Sequence, residues 1–264
     1  TLGHAPYAAL RDAYGEAALG MLDGGADALL IETCQDLLQV KAAVIGSQRA
    51  MAQLGRRVPI ITHVTVETTG TMLLGSEIGA ALTALEPLGI DMIGMNCATG
   101  PDEMNEHLRY LSQNTTLPVS VMPNAGLPVL GANGAEYPLQ APELGIALRG
   151  FVQEHGLSMV GGCCGTTPEH ISAVRDAVLG GNDFEPAVQA ERHPQHNNDV
   201  ASLYQSMPLT QETGITMIGE RTNANGSKAF REAMLAHRAP AHPQVHEQRD
   251  GQRQTPLLLA VAGD

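Results

Sequence analysis

The sequence has no tryptophan, and aromatic residues of all kinds make up 3% of its 264 positions. A core cannot be organised around large rings and must rest on Leu, Ile, Val, Ala and Met. Charge is also sparse, at 16% against 43% hydrophobic residues, a globular rather than a disordered composition. Basic residues are the scarcer sign: 15 Lys and Arg against 28 Asp and Glu give a formal net charge of −13, with no long basic run. That argues against a surface tracking nucleic-acid phosphates. No apolar run approaches the ~20 residues of a membrane span, and no charged n-region with an apolar stretch opens the chain. The expectation is a soluble, cytoplasmic protein with neither membrane nor nucleic acid as partner. Cysteines number four, two of them adjacent as Cys163 and Cys164. Neighbouring cysteines rarely meet disulfide geometry, so free thiols or metal ligands in a reducing compartment are expected.

What the sequence does contain is alternation. Helical patterns cover Pro6 to Leu22, Asp36 to Leu54, Ser76 to Leu88, Pro101 to Leu111, Pro142 to His155 and Pro168 to Leu179. Ser76 and Thr167 suit N-caps, Pro168 the first helical position, and Gly55, Gly89, Gly156 and Gly180 the positions just past helix ends. Between them lie short apolar runs, Ala28 to Ile31, Val58 to Val66, Ile90 to Met95, Val119 to Met122 and Ser158 to Val160. Such runs read as strands buried on both faces, and their alternation with helices predicts right-handed βαβ units, a parallel sheet and an α/β fold.

The polar residues of chemical interest fall just after strands: Glu32, Glu67, Asn96 with Cys97, Asn124, and Cys163 with Cys164. A (β/α)8 TIM barrel gathers its active site at that carboxyl end, drawing on several strands, whereas a doubly wound sheet concentrates ligand at one switch point. Contributions from five strands favour the barrel. A closed barrel takes eight strands and typically ~250 residues, so the expectation is a partial barrel of about five βα units, truncated at its N-terminus.

The densest signal is Gly161-Gly162-Cys163-Cys164-Gly165-Thr166-Thr167-Pro168. Two thiols at a strand end, flanked by glycines, lead into a helix whose N-terminal dipole favours thiolate. Two buried structural cysteines would be the bland reading. Met95-Asn96-Cys97-Ala98-Thr99-Gly100-Pro101 is a second strand-end turn on the same rim, bringing a third thiol. Three protein ligands with one open position suit a catalytic zinc, since structural zinc closes all four positions. Cys34, near Glu32, reads as a packed, idle thiol. Glu67 reads as an exposed acid, and His193 and His196 as solvated linker residues.

In order and spacing, Ile31-Glu32-Thr33, Asn96-Cys97, Pro123-Asn124-Ala125-Gly126 and Gly161 to Pro168 resemble the homocysteine S-methyltransferase domain, over Gly20 to Gly180. After a linker, Gly219-Glu220-Arg221-Thr222-Asn223 resembles the opening of the pterin- or folate-binding domain of the cobalamin-dependent methionine synthase family. The resemblance implies zinc (Zn2+) on Cys97, Cys163 and Cys164, with the sulfur of homocysteine in the fourth position. Glu32, Asn96 and Asn124 become substrate-binding candidates: Glu32 for the amino group of homocysteine, Asn124 for the vacant metal position before substrate arrives. Thiolate character is the physical point, because a free thiol of pKa ~8.5 is mostly protonated at neutral pH and a bound dication removes that proton. The implied reaction is methyl transfer from methylcobalamin, recharged from methyltetrahydrofolate, to homocysteine, forming methionine. Its partners would be cobalamin and folate domains outside this chain. A stand-alone methyltransferase using betaine or S-methylmethionine is the enzymatic alternative, and an inactive zinc-binding fragment the non-enzymatic one.

The domain expectation is residues 1–180 as the homocysteine-binding zinc domain, 181–213 as linker and 214–236 as the first unit of the folate-type domain. Residues 237–264 read as a divergent, disordered tail, since prolines and scattered polar residues replace helical periodicity there. The resemblance departs at the N-terminus, where the family's Asp-Gly-Ala-Met-Gly-Thr-like turn has no counterpart.

Overall fold

The computed structural model describes residues 3–131, 134–181, 184–195, 198–210 and 227–235. The Gly219 to Asn223 motif and the 237–264 tail lie outside the described residues. The helices are α1 (Tyr7–Asp23), α2 (Leu37–Leu54), α3 (Ile78–Leu85, continued by a 3-10 turn Glu86–Leu88), α4 (Pro101–Asn114), α5 (Ala141–His155), α6 (Pro168–Leu179) and α7 (Lys228–Leu235). The strands are β1 (Leu29–Cys34), β2 (Ile60–Val64), β3 (Met92–Asn96), β4 (Val119–Met122), β5 (Val129–Gly131), β6 (Gly134–Glu136), β7 (Met159–Val160), β8 (Asp199–Ala201) and β9 (Ser206–Pro208).

Five strands form one parallel sheet in the order β1-β2-β3-β4-β7. Each neighbouring pair is joined through a helix, the pattern of successive βαβ units expected from the sequence. The fold is α/β, a partial barrel. Its outer layer of helices closes over the sheet through a single continuous core that includes Val40, Val44, Ile60, Val64, Ile93, Met95, Leu108, Leu111, Val119, Leu144 and Leu148. Aliphatic and Met side chains supply it, as the shortage of aromatics requires. No helix among the described residues is long and apolar enough to cross a membrane.

Helix ends follow local chemistry. The Asp36 carboxylate accepts from the Leu38 amide at 2.8 Å and caps α2; Gly55, Gly89 and Gly156 end their helices at φ of 63°, 73° and 64°, where a β-carbon would be strained. Ser76 does not cap α3. Glu77 stands at that position, and the Ser76 hydroxyl donates instead to the Leu203 carbonyl at 2.6 Å.

The segment expected as linker carries structure of its own. Gln189 donates to the Gly156 and Leu157 carbonyls. The Arg192 guanidinium donates to the carbonyls of Ser112, Leu117 and Thr115 around the end of α4. Further on, β8 and β9 pair as an antiparallel hairpin, and its turn docks on the start of α3, with the Glu77 amide donating to the Tyr204 carbonyl at 2.8 Å. The β2–α3 connection lies on the carboxyl rim, so this strap runs from the amino ends of the strands back to the rim that bears the site.

Candidate metal centre

Pairing between β1 and β2 is regular from Leu29 to Ile31, then shifts by one residue before Cys34 meets Val64. The extra residue is a bulge at Glu32 and Thr33, which leaves both side chains exposed. Bulges commonly re-aim side chains beside active sites. Thr33 has φ of 57°, an uncommon conformation for a β-branched residue. Asn96, 63 residues away, holds it: the Thr33 amide donates to Asn96 Oδ1 at 2.8 Å, and Asn96 Nδ2 donates to Thr33 Oγ1 at 2.8 Å. The same Nδ2 lies 3.7 Å from Cys163 Sγ. Asn96 is fully buried. Expected as a substrate contact, it has both ends of its amide engaged within the protein, tying the β1 turn to a thiol.

Cys97 follows β3 in a turn where two successive residues, Cys97 and Ala98, take φ of 63° and 61°. This swings the chain from strand to the start of α4 and keeps the sulfur on the rim. The Cys97 amide donates to the Met122 carbonyl at 3.1 Å, and the Cys163 amide to the Pro123 carbonyl at 2.8 Å. Both thiol-bearing turns therefore hang on the end of β4, which lies between β3 and β7. Asn124, 2% exposed, accepts the Cys164 amide on Oδ1 at 3.2 Å, and the Ala125 amide donates to the Cys164 carbonyl at 2.9 Å. Thr166 closes the loop, its hydroxyl donating to the Cys163 carbonyl at 2.7 Å.

The result is a cluster in which the sulfurs of Cys97, Cys163 and Cys164 all lie within 4.8 Å of one another. Cys97 to Cys164 is 3.7 Å and Cys163 to Cys164 is 4.0 Å. A disulfide needs ~2.05 Å. Two thiolates on one tetrahedral zinc with ~2.3 Å bonds stand about 3.8 Å apart. The observed spacing excludes a disulfide and is compatible with thiols that could share a metal. Burial pushes the Cys97 thiol up to about 12; the Ala98 amide acts against this, while Cys164 and the charge of its neighbours add to it. Without a cation the Cys97 thiol resists ionisation, so a metal bound there would displace its proton. The N-termini of α4 and α6, both on this rim, add favourable dipoles for anionic sulfur.

The remaining expected residues are distributed around the cluster. Glu32 is exposed on the rim beside the Thr33 turn. Glu67 is partly buried and accepts from Gln35 at 3.0 Å. Cys34 is buried, its thiol pushed up to about 12 by burial and by the nearby Asp36 and Glu32 carboxylates, and it stands apart from the cluster. His193 is exposed in the strap; His196 lies outside the described residues.

Three neighbours of the site were not singled out from the sequence: Thr33, Thr166 and Tyr137. Tyr137 follows the β5–β6 hairpin and faces Cys164. Desolvation, its interaction with Cys164 and the nearby thiols raise its phenol pKa.

A parallel α/β barrel layer with three thiols converging at its carboxyl rim defines a class of protein, one whose candidate site is built from sulfur at the strand ends. The model of the homocysteine S-methyltransferase family matches residues 1–178, and the chain belongs to that family. Methionine synthase of Mycobacterium leprae is 68% identical over 236 residues, covering 89% of this chain and 20% of its own. Methionine synthase of Mycobacterium tuberculosis is 68% identical over the same number of residues, covering 89% of this chain and 19% of its own. The chain thus spans about a fifth of the length of the curated relatives it matches. Among solved structures, the apo form of the homocysteine methyltransferase MmuM from Escherichia coli superposes with a TM-score of 0.51 at 22% identity, over 66% of this chain and 58% of that one. That likeness concerns the fold.

Proposed function

We propose that Cys97, Cys163 and Cys164 hold a zinc ion whose fourth position accepts the sulfur of homocysteine, and that this site serves methyl transfer yielding methionine. The observation that carries the reading is the sulfur spacing, 3.7 and 4.0 Å, against the about 3.8 Å of thiolates sharing a tetrahedral zinc. Family membership supplies the substrate class. Zinc, when bound, provides the positive charge that keeps a substrate thiol deprotonated near neutral pH.

The chain's own residues perform the rest. Three anionic ligands leave the centre net negative, so a bound substrate sulfur stays electron-rich. Asn96 orients Cys163 and holds the Thr33 bulge, which in turn sets Glu32 at the rim. Glu32 is proposed to receive the ammonium group of homocysteine, and Asn124 to stand beside the open position while fixing the Cys164 loop. High identity to methionine synthases supports methionine as the product; the resemblance of Gly219 to Asn223 to the opening of a folate-binding domain favours methylcobalamin, recharged from methyltetrahydrofolate, as the donor, with both cofactors held by other domains of a longer protein.

The test has two arms. Metal analysis of the purified chain should return one zinc, and single replacement of Cys97, Cys163 or Cys164 by Ser should remove most of it. Zinc retained at full stoichiometry in all three variants would sink the metal assignment. Thiol methylation measured side by side with methylcobalamin, betaine and S-methylmethionine then separates the proposed donor from the small-molecule donors, since turnover with methylcobalamin alone is expected.

A further inference from the structure

The β8–β9 hairpin is seated on the loop that follows β2, and that loop in turn reaches the turn that follows β1. The seat is shaped on the loop side by two glycines. Gly75 has φ of 90°, and a β-carbon built on it would lie 3.2 Å from Tyr204 Cδ1; one built on Gly79 would lie 2.6 Å from Ser206 Oγ. Three hydrogen bonds cross this close approach. The Glu77 amide donates to the Tyr204 carbonyl at 2.8 Å, the Ser76 hydroxyl to the Leu203 carbonyl at 2.6 Å, and the Gln205 side-chain amide to the Glu77 carboxylate at 2.8 Å.

The loop, residues 66–77, is folded on itself between this anchor and the site. The Met72 amide donates to the Ser76 carbonyl at 2.8 Å and the Glu67 amide to the Thr71 carbonyl at 2.9 Å, while the Met72 side chain is buried in the core. At its start, Glu67 Oε1 accepts from Gln35 Nε2 at 3.0 Å. Gln35 lies between Cys34 and Asp36, the cap of α2. The turn bearing Glu32 is therefore held at two points, at Thr33 by Asn96 and at Gln35 by Glu67. Among the described residues no side chain bonds the exposed Glu32 carboxylate, so its direction is set by the backbone of that turn.

We infer that the β8–β9 hairpin, Glu67 and Gln35 form a brace that positions the substrate rim, the hairpin fixing the 66–77 loop and Glu67 passing that fixation to the turn carrying Glu32. Glu67 and Gln35 are positioning residues: they act through Glu32, and for its substrate readout the inference rests on the role proposed for Glu32 above. A contact group on a backbone already fixed loses less freedom when substrate binds, which is the physical return on such support.

The experiment uses the full chain and follows amide hydrogen exchange by peptide mass spectrometry, with α5 as internal reference. Ser76→Ala combined with Gln205→Ala removes both side-chain bonds between loop and hairpin, and exchange should rise about tenfold in residues 66–77 and about fivefold in residues 29–38. Faster exchange in 66–77 alone, or in neither segment, would overturn the brace. Glu67→Ala should reproduce the rise in 29–38 while leaving the hairpin at its wild-type rate, and Glu67→Gln, which keeps an acceptor oxygen for Gln35, should restore it. A Gln variant that exchanges like the Ala variant would remove the Gln35 bond from the assignment. In zinc-loaded chain turning over homocysteine, Glu67→Ala should act on KM, about fivefold, rather than on kcat; a fall in kcat at unchanged KM would refute the positioning of Glu32. Absence of turnover in the wild-type chain itself would count against the methyl-transfer reading, and the exchange rates would still decide the brace.

Discussion

Replacing Asn96 by Ala should destabilise the chain and loosen the thiol site together, because one buried amide serves both. Asn96 has no exposed surface. It accepts the Thr33 amide and donates to the Thr33 hydroxyl, each at 2.8 Å. The two bonds contribute about 1 kcal/mol each, and removing Asn96 also leaves the Thr33 amide without its acceptor, so a total loss of about 3 kcal/mol is expected. For a chain of this size that is about 6–12 °C in Tm. Thr33 is held at φ of 57°, a conformation costing about 1–3 kcal/mol for a residue with a β-carbon, and without Asn96 the bulge should relax. Glycine accepts this φ freely and has no hydroxyl to lose. In a Thr33→Gly background, where only the amide bond and its orphaned donor remain to be lost, the penalty of Asn96→Ala should therefore fall to about 2 kcal/mol. Urea unfolding of the four proteins of the cycle measures this directly, and zinc release to a chelator reads the site, since Asn96 Nδ2 also faces Cys163 Sγ at 3.7 Å. An Asn96→Ala variant within about 0.5 kcal/mol of wild type, or equal penalties in both backgrounds, would refute the tie between the bulge and the thiol.

Two further expectations concern the frame around the site. His63 is fully buried, its Nε2 lies 2.6 Å from Ser120 Oγ, and burial lowers its pKa from 6.5 to about 4. The unfolded chain takes the proton first as pH falls, so stability is undiminished above pH ~6.5, declines below it, and has lost about 2 kcal/mol by pH 5. Equilibrium unfolding against pH should show this slope, and His63→Gln should flatten it; a slope unchanged by the substitution would assign it to other groups. Arg192 gives hydrogen bonds to three carbonyls around the end of α4, so Arg192→Ala should cost about 2 kcal/mol in urea unfolding. Arg192→Lys should recover little, because an ammonium cannot reproduce the planar fork; full recovery by Lys would count against that geometry.

The barrel layer was legible because its strands and helices differ in period and are separated by glycines and prolines that act locally. Pro168–Leu179 and Val119–Met122 fall where the pattern puts them. Segments held by backbone contacts were not legible. The 199–208 hairpin docks through the Glu77 amide and the Ser76 hydroxyl onto main-chain carbonyls of Tyr204 and Leu203, and such bonds leave no periodicity in side-chain type. Ser76 illustrates the competition: its composition suits a helix cap, yet a tertiary acceptor 127 residues away claims the hydroxyl. Thr33 is a stronger case, since a β-branched residue argues against the left-handed backbone it adopts, and only a contact with Asn96 makes that backbone tenable.

The clustering of the three thiols was legible for a reason that belongs to the fold. In a parallel sheet every strand ends on the same rim, so residues following β3 and β7 become neighbours whatever their separation in sequence. What order along the chain does not convey is the spacing, and the structure locates its source in β4. That strand contributes no cysteine, yet its last residue, Met122, accepts the Cys97 amide, and of the two residues that follow it, Pro123 accepts the Cys163 amide and Asn124 the Cys164 amide. Three thiol-bearing amides are thus referenced to three consecutive residues, Met122, Pro123 and Asn124. Registration at the strand end fixes the sulfur spacing, which is the preorganisation that the proposed metal site would demand of its supporting residues. The residues most worth perturbing are therefore those behind the sulfurs.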